Sequence, residues 1–239
     1  HTRCSGIKGD LVKIKDFFCS RCKKRDVQMT VSTGLEIERG VILERVGKFC
    51  YLGDMLDEEG GADRAVIARI SKGWNKFRML APLMCAKSTP MKVRGKLYAS
   101  CVRRCMIYGS ETWALSVDSQ RRLERAEMQM LRRISNVIKK DRVSNVMIRK
   151  MLGIESVVDL IRRGRLRWFG HVERKAENDW VKKCQALVVD GKNPKGRPKL
   201  TWKEVVRKDM NRLGLVPAMA QDRCMWRRIT WGFRKANQG

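Results

Sequence analysis

"DEEGGADRAVIARISKGWNKFRML" (57–80) is where this chain changes character. Upstream, residues 26–56 read as strands. "VQMTVST" (27–33) alternates, "LEIE" (35–38) and "VILERV" (41–46) flank a hairpin-like turn at Arg39–Gly40, and "FCYLGDML" (49–56) follows as a further strand. From residue 62 the apolar period becomes 3.6. Val66, Ile67, Ile70, Trp74, Phe77 and Leu80 form one stripe, with Arg64, Lys72, Lys76 and Arg78 mostly off it. "DEEGGAD" is the break between the two regimes.

Helical signals then continue to the C-terminus. Thr89 and Pro90 open a helix whose buried face is expected at Val93, Leu97, Cys101, Val102 and Cys105, with Gly109 at its end. A helix from about Asp118 to Lys139 carries a stripe of Leu123, Ala126, Met130, Ile134 and Val137. Arg121, Arg122, Arg125, Arg132 and Arg133 cover its other side. Further helices are expected near 144–152, from Ser156 to about Arg174, from the T-x-x-E capping box at Thr201 to Leu213, and near 221–230. The fold class is therefore α+β, mainly α: a small β-rich N-terminal head followed by a basic helical bundle and further helices.

Charge changes at the same break. Residues 1–60 carry 11 basic and 10 acidic side chains, whereas 61–239 carry 42 basic and 15 acidic, which places almost all of the net +28 on the helices. A surface with that excess repels itself unless a polyanion neutralises it, and nucleic acid is the expected partner. The charge is spread over several helices rather than one juxtamembrane run, and no apolar run approaches the ~18 residues of a membrane span, so no membrane partner is expected. Nine cysteines, five of them (Cys50, Cys85, Cys101, Cys105, Cys184) single among apolar residues, fit a reducing compartment, nucleus or cytoplasm, rather than secretion.

The first 22 residues hold His1, Cys4, Cys19 and Cys22 as an H-x2-C and a C-x2-C pair, fourteen residues apart. These are zinc-ligand types at zinc-ligand spacing, and the four could close one tetrahedral site. The spacing also matches the last half of a longer, two-zinc finger. "KGRPK" (195–199) offers Lys195, Arg197 and Lys199 around a Gly-Arg-Pro core, which suits the narrow minor groove of A·T-rich DNA, or simply holds the chain extended before Thr201. Trp168, Trp202 and Trp226 are candidates for base stacking, though at helical spacing they also suit a core. With His1 and His171 as the only histidines, no hydrolytic triad can be assembled.

Four segments in order, "KFCYLGDML" (48–56), "YGSETWAL" (108–115), "LRWFGHVER" (166–174) and "GRPKLTWKEVVRKD" (196–209), resemble the C-terminal half of the reverse transcriptase of non-LTR retrotransposons. The resemblance is to those elements with a PHD-like zinc insertion after the polymerase's catalytic motif. It implies a truncated PHD-like remnant over 1–25, palm-edge strands over 26–60, a thumb-like helical domain over 61–140 and a basic helical C-terminal region over 141–239. It implies that His1/Cys4 and Cys19/Cys22 belong to two different, incomplete zinc sites, so that zinc binding is expected to be weak or absent. It implies a primer grip at Phe49, Cys50, Tyr51, Leu52 and Gly53.

The implied partners are an RNA template and a DNA primer or target, with no small-molecule substrate. Phosphate contacts are expected at Lys72, Lys76, Arg78, Arg94, Lys96, Arg121, Arg122, Arg125, Arg165 and Arg167, as well as in the 195–199 loop. The parent reaction uses magnesium held by palm aspartates, usually a Tyr-x-Asp-Asp turn. This chain contains no Asp-Asp, so no catalytic residue is assigned and no polymerase activity is expected of it alone. Two rival readings remain: a co-opted or degenerate protein that only binds nucleic acid, and a zinc-finger module that reads a protein tail.

Overall fold

A computed structural model describes residues 35–37, 41–43, 46–51, 54–57, 61–187 and 200–236. Residues 1–46 and 47–239 form two compact units. The first contains an antiparallel strand pair, β1 (Leu35–Ile37) and β2 (Val41–Leu43), with Ile37 opposite Val41. The segment 27–33 lies outside the described residues.

The second unit opens with a hairpin rather than the single strand expected over 49–56. β3 (Lys48–Tyr51) and β4 (Asp54–Asp57) pair antiparallel with Tyr51 opposite Asp54. Helices follow: α1 (Asp63–Met84), α2 (Met91–Leu97), α3 (Arg103–Met106), α4 (Val117–Ile134), α5 (Asn145–Leu152), α6 (Val157–Glu173), α7 (Trp180–Ala186), α8 (Trp202–Asn211) and α9 (Arg223–Ala236). The protein is mainly α with a little strand, as the periodicity predicts.

Helix ends follow local chemistry. Ser116 and Ser144 accept the backbone N–H groups of Ser119 and Met147, and Gly153 ends α5 in the left-handed region at φ 67°. The Thr201 box closes on both sides: the Thr201 hydroxyl accepts from the Glu204 N–H at 3.3 Å, and the Glu204 carboxylate accepts from the Thr201 N–H at 2.9 Å. Three expectations differ. Pro90, not Thr89, is the cap residue of α2, and Thr89 turns its hydroxyl back to the Leu83 carbonyl. The fourth helix stops at Ile134 rather than Lys139, followed by Asn136 at φ 54°. The last helix runs beyond 230 to Ala236.

The face buried by α2 is rotated by one residue from the expected one. Arg94, Gly95, Tyr98 and Met106 point inward, Val102 is buried as expected, and Val93 is half exposed. Gly95 explains the rotation. A Cβ there would lie 1.9 Å from the Leu152 carbonyl oxygen, so only glycine lets the end of α5 seat on α2. Between α2 and α3 the chain makes a π-helical turn (Tyr98–Val102), with the Arg103 N–H bonded to the Tyr98 carbonyl. That wider turn brings side chains five apart onto one side.

Two cores result. The first runs from Ala62 to Ile161 and is filled by Val66, Phe77, Tyr98, Leu123, Met130 and Ile148 among others. The second joins Leu166, Phe169, Val206, Met210, Leu215 and Trp226. Helix α6 belongs to both, with Val157 and Ile161 in one and Leu166 and Phe169 in the other.

Candidate nucleic-acid interface

The interior is held by two buried acids. Glu127 on α4 is fully enclosed; its Oε1 accepts from Arg103 Nη2 at 2.7 Å and Nε at 3.0 Å and from the Tyr98 hydroxyl at 3.4 Å. Its other oxygen accepts from the Val157 N–H at the start of α6, 3.2 Å away, and faces Arg149 at 3.8 Å. The π-turn is what lines Tyr98 and Arg103 up on the same oxygen. Burial, and then the Glu127 charge, push the Tyr98 phenol far above its ordinary range, so it stays a neutral donor.

The second acid is Asp209 on α8, 3.0 Å from Arg165 Nε and 3.7 Å from Arg162 Nε. Burial pushes the Asp209 carboxyl up and the Arg165 guanidinium down, and each charge pulls the other back.

Arg165 also donates to the Trp113 carbonyl at 2.6 Å. Around that residue the four segments that carry the resemblance meet. Trp113 Nε1 donates to Asp54 of the β3–β4 hairpin at 3.1 Å, and Trp202 Nε1 donates to the Glu111 carbonyl at 2.8 Å. Phe169 packs against Trp202 with ring centroids 6.4 Å apart. Stretches far apart along the chain thus dock on the turn at 108–115.

On that hairpin Phe49 and Tyr51 point to one side, stacked at 6.4 Å and more than half exposed. Cys50 is exposed as well, while Leu52 and Gly53 lie outside the described residues. Of the expected phosphate contacts, Lys72, Arg78, Lys96, Arg121, Arg122, Arg125 and Arg167 are exposed or half-buried, and Lys76 is half-buried. Arg121 faces Asp118 at 3.6 Å in water, a weak pair.

Arg94 and Arg165 differ from the expectation. Arg94 is 4% exposed and donates to the carbonyls of Thr89 (2.7 Å) and Ile134 (2.9 Å), closing the C-terminal end of α4. Arg165 is 2% exposed on Asp209. Both sit inside because a helix end or a buried acid needs a cation there, and neither has a guanidinium left for phosphate. Trp226 is likewise core, its Nε1 on the Leu166 carbonyl.

Helices α1 and α4 run side by side in the same direction. Asp63 at the start of α1 accepts from the Ser116 and Ser119 hydroxyls at the start of α4. Further along, Arg133 of α4 lies 5.1 Å over the Trp74 ring of α1. Their outward faces are cationic: Lys72 and Arg78 on one, Arg121, Arg122 and Arg125 on the other. Side chains of this kind neutralise phosphates without reading bases.

His1, Cys4, Cys19, Cys22, Lys195, Arg197 and Lys199 lie outside the described residues. Among the described residues no group of three or more histidine, cysteine or acidic side chains is gathered as a metal site, and no helix is long and apolar enough to cross a membrane. The cysteines Cys50, Cys85, Cys101, Cys105, Cys184 and Cys224 are free thiols.

The chain is 23% identical over 173 residues to an uncharacterized transposon-derived protein of Caenorhabditis elegans, covering 70% of this chain and 62% of that one. That likeness suggests a transposon-related origin. The chain thus spans less than two thirds of that relative's length. No family model and no solved structure matches.

Proposed function

We propose that the chain is part of a retrotransposon-encoded RNA-directed DNA polymerase and that it binds the template–primer duplex. The observation that carries the reading is the separation of charged side chains on α4. Arg121, Arg122 and Arg125 lie along its outer side, while Glu127 anchors the other side to the core. The exposed Phe49–Tyr51 pair, docked through Asp54 onto Trp113, supports the primer-grip assignment. The transposon-derived relative supports the element's origin, and the free thiols fit a nuclear or cytosolic setting. The sequence has no Asp-Asp pair, so this chain's own residues bind and position rather than transfer nucleotides.

The test is anisotropy with a labelled RNA–DNA duplex over a salt series. Binding should weaken linearly in log–log form, and changing Arg121, Arg122 and Arg125 together to Gln should reduce the slope by up to about 3, one for each phosphate no longer neutralised. A slope unchanged by those substitutions would reject the α4 face as the duplex-binding surface. Primer extension with this chain alone should yield no product.

A further inference from the structure

Helices α6 and α9 pack antiparallel, with Gln221 donating to the Glu173 carbonyl at one end and Arg163 over the Trp231 ring, 5.7 Å away, at the other. The close approach depends on Gly170: a Cβ there would lie 2.3 Å from the Trp226 indole nitrogen. Alongside this seam lies an open cleft of about 570 Å³. Two ladders at i+4 spacing line it, Arg163–Arg167–His171 on α6 and Arg223–Arg227–Trp231 on α9. Glu111 is the one acid among its lining residues.

Not all of these arginines have the same freedom. Arg163 is held by Glu155, and Arg174 at the far end by the Ala220 carbonyl. Arg167, Arg223 and Arg227 are exposed, with no hydrogen-bond or ion-pair partner among the described residues. Beside them stand two aromatic surfaces. Trp231 is 49% exposed, and Trp168 and His171 pair with ring centroids 5.4 Å apart.

We infer that this cleft binds single-stranded nucleic acid, with phosphates on Arg167, Arg223 and Arg227 and a base stacked on Trp231. Exposed aromatic faces interleaved with such arginines suit a strand whose bases are free to stack; a duplex hides those faces and offers only phosphates. Gly164 adds to the fit, since nothing lies within 4 Å of where its Cβ would be, which keeps the floor between Arg163 and Arg167 open. The site lies on different helices from the proposed α1/α4 duplex face and stands or falls separately from it.

The experiment uses the whole chain with labelled oligouridylate and oligothymidylate of about 15 nucleotides, and the RNA–DNA duplex as a second probe. Trp231→Ala should weaken single-strand binding about tenfold, Trp231→Phe should retain most of it, and the pair Arg167→Gln/Arg227→Gln should weaken it about as much as Trp231→Ala. Duplex affinity should stay within about twofold in all three. A loss confined to the ribose strand assigns the cleft to RNA; equal losses on both assign it to either strand. Unchanged single-strand binding in Trp231→Ala and in the arginine pair overturns the proposal, as does an equal loss on strand and duplex. Should Trp231→Ala lose its native circular dichroism, the arginine pair, which is exposed, decides alone.

Discussion

Arg103 and Arg122 sit on helices that touch through Glu127, yet one is enclosed and the other open to water. Arg103 ties three parts of the chain together: its guanidinium donates to Glu127 and to the Glu155 carbonyl, the latter at 2.6 Å, and lies 5.7 Å over the Tyr98 ring. Arg122 does nothing of this kind among the described residues. Among the interior cations, Arg94, Arg103 and Arg165 each answer a carbonyl or carboxylate that would otherwise be buried alone, whereas Arg69 lies 4.3 Å over the Tyr108 ring. Arg122 and Arg125 on the outer side answer no buried group, and the repulsion of such a cationic surface is relieved by counterions or an outside polyanion. Composition counts both groups alike; only the surface group is exposed to a ligand.

The largest effect is expected at the buried Glu127 hub. Glu127→Ala removes the carboxylate that pairs with buried Arg103 and accepts from the Val157 N–H, and should cost about 3–5 kcal/mol in urea unfolding. A loss under about 1 kcal/mol would mean that the buried hub is not what joins α4 to α3 and α6. Next comes Gly95→Ala, which drives a methyl into the Leu152 carbonyl and should cost about 1–3 kcal/mol, lowering the thermal midpoint without altering the salt dependence of binding. On the outer side, Arg122→Gln should move stability by less than about 0.5 kcal/mol while weakening duplex binding. If it destabilised the fold as Glu127→Ala does, the division between inner and outer arginines would fail.

The smallest effect concerns the Thr201 cap. The Thr201 N–H and hydroxyl hold the Glu204 carboxyl below its ordinary value. Its folded pKa is therefore lower than its unfolded one. The cap's contribution is present above the unfolded pKa and fades as pH falls through the folded one. Glu204→Gln should flatten that acid limb of the unfolding curve, lowering the neutral-pH midpoint slightly while the two proteins converge in acid; an acid limb of the same steepness would show that the box does not titrate with folding.

The helices are legible in the sequence because their signals are local. Ser116, Ser144, Gly153 and the Thr201–Glu204 box sit where helix ends require them, and the stripe of Leu123, Ala126, Met130 and Ile134 is buried as its spacing predicts. The stripe on α1 is less regular: Ile67 falls on it and is half exposed. The candidate site is less legible still. Nothing in the residues around Arg94 or Arg165 distinguishes them from Lys96 or Arg167, because their partners, Ile134 and Asp209, come from distant parts of the chain. The cleft does leave a trace, the i+4 ladders Arg163–Arg167–His171 and Arg223–Arg227–Trp231, but two ladders become a cleft only when their helices pack.

From the sequence alone come the helix-rich class, the strand-to-helix break near residue 60, the Thr201–Glu204 capping box and the excess of cations beyond the break. These follow from period, turn chemistry and count, which depend on neighbours along the chain. The tertiary structure decided which arginines are scaffold and which are surface, the one-residue rotation of α2, and the meeting of four distant segments at Trp113. Those depend on a carbonyl, a carboxylate or a missing Cβ brought from elsewhere in the chain, and burial makes each a requirement that no local pattern encodes.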